Sequence, residues 1–315
     1  MRIFMKTLTA LVVLVVTIFL IHLIVPRGVS EAQSDRSDPK SDGYVQHLVA
    51  KNLDRPEAVV PLANNAVLVA ERSGRILLLK GDSRTDLGRI TVPDTPIFYV
   101  PDHPYTEGLK DLISVPGQPD VFLWSMTTGT AQARRWTIGR AKIKLDQKPP
   151  PAMENTILWQ SELQPWTRGS VPPFSGCRLV VQGDDVVVAM GGNSRETGIG
   201  KIMRISLSGS HAPELISTGH RNPSGVVFAS GTLWEVEHGP KGGDELNIIV
   251  QGGDYGWAAV SKGEPDDAFH PKGFLKSRPG SIDPVVTWSP AIAPSSITSW
   301  RGKLYVGALA GQSVL

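Results

Sequence analysis

Beyond Gly43 the chain reads as short apolar and β-branched stretches, each closed by turn residues. Ala66–Ala70 and Arg75–Lys80 flank Glu-Arg-Ser-Gly, which predicts a hairpin with Gly74 at its tight position. Comparable runs are Val121–Ser125, Trp136–Leu145, Asp185–Met190, Lys201–Leu207, Gly225–Phe228, Thr232–Glu237, Glu245–Val250, Pro284–Trp288 and Lys303–Leu309. None of this region carries the spacing of a convincing amphipathic helix. Many short strands imply an all-β fold, a sandwich or a β-propeller with blades of three or four strands. A strand pair followed by a polar loop recurs along the chain, and this favours the propeller. Lys303–Leu309 has six residues after it. It is expected to lack a return partner, so the chain reads as a truncated product whose last blade is open to being incomplete.

The N-terminus has a different pattern. Arg2 and Lys6 precede an apolar run from Leu8 to Val25, broken only by two Thr and His22. A positive segment before an apolar one is an export signal. The run is also close to the ~20 residues that span a bilayer. Ala32, with Ser30 two residues before it, offers a small-residue cleavage site. Residues 1–32 are therefore a signal peptide or a membrane anchor, 33–42 a polar tether, and 43–315 the folded domain. That domain is expected to be periplasmic or anchored to the outer face of the cytoplasmic membrane, with membrane contact only through the N-terminal segment. No Asn-x-Ser/Thr sequon follows, and a lone cysteine, Cys177, suits a bacterial periplasm. It also excludes an intrachain disulfide and any cysteine-based zinc or iron–sulfur cluster. Lys and Arg number 32 against 30 Asp and Glu, so no basic excess points to nucleic acid.

Polar residues concentrate in His220–Asn222, Glu237–Asn247 (EHGPKGGDELN) and Gly253–Trp257 (GDYGW). Gly- and Pro-rich loops between strands are where function usually sits. Carboxylates and backbone carbonyls are the hard oxygen donors that Ca²⁺ takes. Arg221 suits a bidentate carboxylate contact, and Asn222 can both donate and accept. Two readings stay open on chemistry alone. One is a Ca²⁺ site with an anionic ligand; in the other, Arg221, Asp244 and Glu245 simply tie turns together.

The stretches GHRNPSG (Gly219–Gly225), LWEVEHGPKGGDELN (Leu233–Asn247) and GGDYGW (Gly252–Trp257) resemble the signature of soluble pyrroloquinoline-quinone (PQQ)-dependent glucose/sorbosone dehydrogenases, including the aldose sugar dehydrogenases. Echoes in the same order are VAERSGRI (Val69–Ile76), EGL (Glu107–Leu109), GKIMRI (Gly200–Ile205), APS (Ala293–Ser295) and WRGKLYVGAL (Trp300–Leu309), so the likeness runs from about Val45 to the end. It implies a six-bladed β-propeller with PQQ on one face. It assigns Arg221 and Asn222 to the cofactor, and the carbonyls of Gly239 and Pro240 to a Ca²⁺ that polarises the quinone. Glu245 and Tyr255 match backbone donors near a structural Ca²⁺, and Asp244 matches an active-site acid. His220 reads as a packed loop histidine.

The departures bear on activity. Phe174 stands where the family's general-base histidine belongs, ahead of Ser175-Gly176-Cys177-Arg178-Leu179. The next strand ends Met190-Gly191-Gly192-Asn193, where the family ends in Gly-Asp. Phenylalanine cannot accept a proton, so His238 or Asp244 must substitute if sugar is oxidised. The leading expectation is an exported dehydrogenase that converts an aldose anomeric hydroxyl to a lactone and passes electrons to an acceptor. A non-catalytic propeller serving as a binding module is the second reading, and a Ca²⁺-dependent lactonase the third.

Overall fold

The computed structural model describes residues 48–92, 108–129, 133–145, 153–165, 174–192, 200–265 and 273–315. The apolar run 8–25, the tether 33–42, Glu107 and Asn193 lie outside them.

The described residues form five largely antiparallel sheets and no helix. The first blade is β1 (Pro56–Pro61), β2 (Ala66–Glu71), β3 (Arg75–Lys80) and β4 (Ser83–Arg89). The second is β5 (Gly108–Val115), β6 (Gln118–Gly129), β7 (Ala133–Lys142) and β8 (Glu154–Gln160), with the short β9 (Gln164–Pro165) also on β7. The third is β10 (Phe174–Gln182), β11 (Asp185–Gly192), β12 (Lys201–Ser206) and β13 (Glu214–Thr218). The fourth contains β14 (Pro223–Ala229), β15 (Thr232–Glu237) and β16 (Asp244–Ile249). The chain then returns to pair β17 (Gly253–Asp254) in parallel with β13, before β18 (Val286–Trp288) completes the fourth blade. The fifth is β19 (Pro294–Trp300), β20 (Lys303–Ala308) and β21 (Ser313–Val314).

Two expectations change here. Five blades are present among the described residues, not the six that the resemblance implies. β20 does have a return partner, because Gly307 and Ala308 pair with Val314 and Ser313 of β21. The Gly74 hairpin is as predicted: its φ is +85°, and a Cβ there would lie 2.6 Å from the Ile90 carbonyl oxygen.

The first strands of successive blades sit side by side, β1 with β5, β5 with β10, β10 with β14 and β14 with β19. Each of these five strands shifts register near its start, at Pro56/Ala58, Leu109/Asp111, Gly176/Arg178, Pro223/Gly225 and Pro294/Ser296. A bulge there bends the strand and re-aims the loop before it. The five repeats therefore present their entry loops alike.

The core lies between blades, and strand periodicity builds it. Alternate side chains of one strand face opposite neighbours. Phe122 and Trp124 pack toward Leu68 and Ile76 of the first blade, whereas Leu123 joins Val186 and Val188 of the third. Val187 and Ala189, alternating with them along the strand, face Val226 and Leu233 of the fourth. Both sheet faces are buried, so these strands read as continuous apolar runs. A fully buried side chain of this kind contributes about 1.5–3 kcal/mol.

Candidate functional site

The functional loops meet at the end of the third, fourth and fifth blades where β10, β14 and β19 begin. Glu237, the last residue of β15, is buried and fastens two of them together. Its Oε2 accepts the backbone N–H of Arg221 at 2.6 Å and of Asn222 at 3.1 Å. The His238 N–H donates to the Asn222 carbonyl at 3.1 Å, so the Arg-Asn-Pro turn lies directly on the His-Gly-Pro segment.

Arg221 Nη1 donates to the His238 carbonyl at 3.0 Å, and its guanidinium carbon lies 5.3 Å over the Trp257 ring. This holds a planar cation in one orientation. The Trp257 indole N–H in turn donates to the Gly192 carbonyl at 2.7 Å. Gly192 is also the cross-strand partner of Phe174. The two positions where the resemblance implies a base and its supporting acid are thus cross-strand neighbours, and Gly192 is the one that Trp257 contacts.

Asp244 is a clamp. Its Oδ1 accepts the Gly239 N–H at 2.9 Å, and its Oδ2 accepts those of Ile292 and Ala293, both at 2.8 Å. The residue is 1% exposed. With three backbone donors converging on it, the carboxylate joins the Gly239 loop to the segment that enters β19. Gly239 fits there for want of a side chain, since a Cβ would lie 2.1 Å from the Gly242 carbonyl oxygen.

His238 is half-buried. Burial holds its imidazole below the ordinary pKa; Asp244 opposes this, Arg221 reinforces it, and a hydrogen bond to the Pro294 backbone opposes it more weakly. Tyr255 donates its hydroxyl to the Ile248 carbonyl and stacks on His220, with ring centroids 4.7 Å apart. Burial pushes its phenol up to about 12.

A small cavity of about 10 Å³ is lined by Glu237, His238, Gly239, Glu245, Tyr255 and Trp257, among others. That is about one water-sized sphere, room for a single ion. The carbonyls of Gly239, Pro240 and Tyr255 accept no hydrogen bond from a described residue, which fits hard-cation donors. The Asn222 side-chain amide likewise engages no described residue.

All eight residues singled out from the sequence therefore gather at one end of the fold. Sequence reasoning passed over Glu237 as the fastener, Trp257 as the platform, and the buried pair Glu235 and Asn247. A signal was present: Glu235 and Glu237 are two apart on one strand, hence on one face, and Asn247 lies on the adjoining strand.

Successive sheets of three to five strands, with ligand-competent loops collected at one end, define a β-propeller whose site is built by loops. The chain belongs to the Glucose / Sorbosone dehydrogenase family, whose sequence profile matches residues 53–315. It is 27% identical over 309 residues to an aldose sugar dehydrogenase of Escherichia coli (strain K12), covering 85% of this chain and 78% of that protein. A solved structure of a putative oxidoreductase (glucose dehydrogenase) from Thermus thermophilus superposes with a TM-score of 0.66 at 26% identity, over 84% of this chain and 80% of the other. The PQQ-bound form of aldose sugar dehydrogenase from Streptomyces coelicolor shares the fold, with a TM-score of 0.63 at 22% identity, over 85% and 78% of the two chains.

Proposed function

We propose that this protein is an exported, PQQ-dependent sugar dehydrogenase that oxidises the anomeric hydroxyl of an aldose to a lactone. The observation that carries the reading is the brace on Arg221: a guanidinium held between the His238 carbonyl and the Trp257 face, beside an uncommitted Asn222 amide. Such a pair suits a multiply charged planar carboxylate ligand. Gly239 and Pro240 would hold Ca²⁺ through their carbonyls, with Glu245 and Tyr255 supporting a second, structural ion. Family membership and the E. coli relative support the same class. When bound, PQQ supplies the acceptor for the two electrons leaving the sugar carbon.

The remaining work falls to this chain's side chains. Phe174 offers no base, and Asp244 is occupied by three backbone donors. His238 is left: with one ring nitrogen turned to the Pro294 backbone, the other accepts the anomeric proton. Its lowered pKa keeps it neutral, and so competent, below the ordinary histidine value of ~6.5. Purified protein mixed with Ca²⁺ and PQQ should show quinone binding by absorbance and aldose-dependent dye reduction. Arg221→Ala should abolish binding, and His238→Gln should abolish turnover with binding retained. Quinone binding equal in wild type and Arg221→Ala would refute the site.

The pairing of Phe174 with Gly192 favours one second reading, a propeller that keeps the ligand site without catalysis. Quinone binding with no turnover in the unmodified protein would establish it.

A further inference from the structure

Behind the fastener Glu237 lies a cluster that the proposed activity does not use. His220, Glu235 and Glu237 are all buried, and their ligating atoms lie within 4.8 Å of one another. Three carboxylates share one donor there: the Asn247 side-chain amide reaches Glu235 at 3.1 Å, Glu237 at 3.4 Å and Glu245 at 3.4 Å. Three buried atoms find no hydrogen-bond partner, namely His220 Nδ1, Glu235 Oε1 and Asn247 Oδ1. Glu235 Oε1 and Asn247 Oδ1 are acceptors, and His220 Nδ1 is a third in the tautomer whose Nε2–H donates to Ser217 Oγ at 2.9 Å. Acceptors without donors, in a place that already gathers negative charge, call for a cation.

We propose that His220, Glu235 and Glu237 form a buried site for a small divalent transition-metal ion, with Asn247 Oδ1 as a further oxygen donor. One imidazole among oxygens suits Zn²⁺ or Mn²⁺ better than the all-oxygen shell of Ca²⁺. The separation of His220 Nδ1 and Glu237 Oε1, 3.5 Å, matches the edge of a tetrahedron with bonds of ~2.0–2.1 Å. Ser217 and the stacked Tyr255 fix the imidazole plane, as outer-shell partners of metal-bound histidines do. The site uses side-chain atoms rather than the Gly239, Pro240 and Tyr255 carbonyls and needs no quinone.

Chelator-stripped full chain is first saturated with Ca²⁺ to fill oxygen-donor positions, then equilibrated with Zn²⁺ or Mn²⁺, desalted and assayed for metal and melting temperature. One tightly held equivalent of Zn²⁺ per chain and a raised Tm are expected. Glu235→Gln should weaken that equivalent by at least about tenfold and erase the metal-dependent Tm rise. The metal-free variant should melt no lower than metal-free wild type, since a neutral amide replaces a buried carboxyl that shares the Asn247 amide with Glu237 and Glu245. Co²⁺ loaded into the wild-type chain should give visible ligand-field bands, a readout that needs no variant. No retained metal, retention undiminished in Glu235→Gln, or a Co²⁺ spectrum like that of the free ion would each overturn the site. None of these readouts depends on PQQ binding, so this site and the dehydrogenase reading can fail separately.

Discussion

Asp244 offers the sharpest test of how the site is held. Asp244→Ala removes a carboxylate from three backbone N–H groups, those of Gly239, Ile292 and Ala293. An unsatisfied buried donor costs about 1–3 kcal/mol, and bonds to a charged group lie toward the upper part of that range. Ile292 and Ala293 are only half-buried, so water can reach two of the three donors once the side chain is gone. The expected loss is therefore about 3–5 kcal/mol, near the lower end of the summed range. Domains of ordinary stability hold about 5–15 kcal/mol in all. Asp244→Asn keeps an oxygen for Ile292 and Ala293 but turns an NH₂ toward the Gly239 N–H, and should cost about 1–3 kcal/mol. Urea unfolding followed by circular dichroism measures both, as a fall in midpoint at constant slope. A loss under ~1 kcal/mol for Asp244→Ala would refute the clamp. Full stability and quinone binding in Asp244→Asn, with turnover gone, would return Asp244 to the chemistry.

Two further outcomes follow from the same geometry. Phe174→His should raise aldose turnover, and Phe174→His with Gly192→Asp should exceed it, because the two positions are cross-strand partners; general-base catalysis is worth about 10²–10⁴-fold. No gain from the pair, in protein that binds quinone, would show that these positions do not face the substrate. The second concerns pH: His238 has its folded-state pKa lowered, so the stability it contributes is present above the unfolded value of ~6.5 and lost as pH falls through the folded one. Melting temperature from pH 7.5 down to about 5.5 should fall more steeply in wild type than in His238→Gln; parallel curves would contradict the assignment.

Much of the fold was legible because its causes are local. The hairpin at Gly74, the runs 201–207 and 232–237 and the Gly-rich loops follow from turn chemistry and β-branched content. β1, β4, β8 and β13 were less visible, being mixed in polarity, with edge strands β4 and β8 largely open to solvent. The five equivalent bulges left no crisp repeat in the sequence, because a bulge is a backbone relation between two strands that many residues satisfy. The return partner of β20 was missed because two residues suffice for it.

The site divides along the same line. By itself, the sequence determined which residue types stand in the loops: a guanidinium beside an amide, carbonyl-rich Gly-Pro turns, and phenylalanine where a base is expected. Only the tertiary structure decided what each does. Asp244 becomes a clamp because its acceptors meet donors 48 and 49 residues away, and Gly192 joins the site through an indole 65 residues on. Glu235 looked like an ordinary strand carboxylate until β15 and β16 closed it in with Glu237, His220 and Asn247. Strand identity is written in neighbouring residues, whereas the partners of a buried polar group are set by register and blade order, which no local window contains.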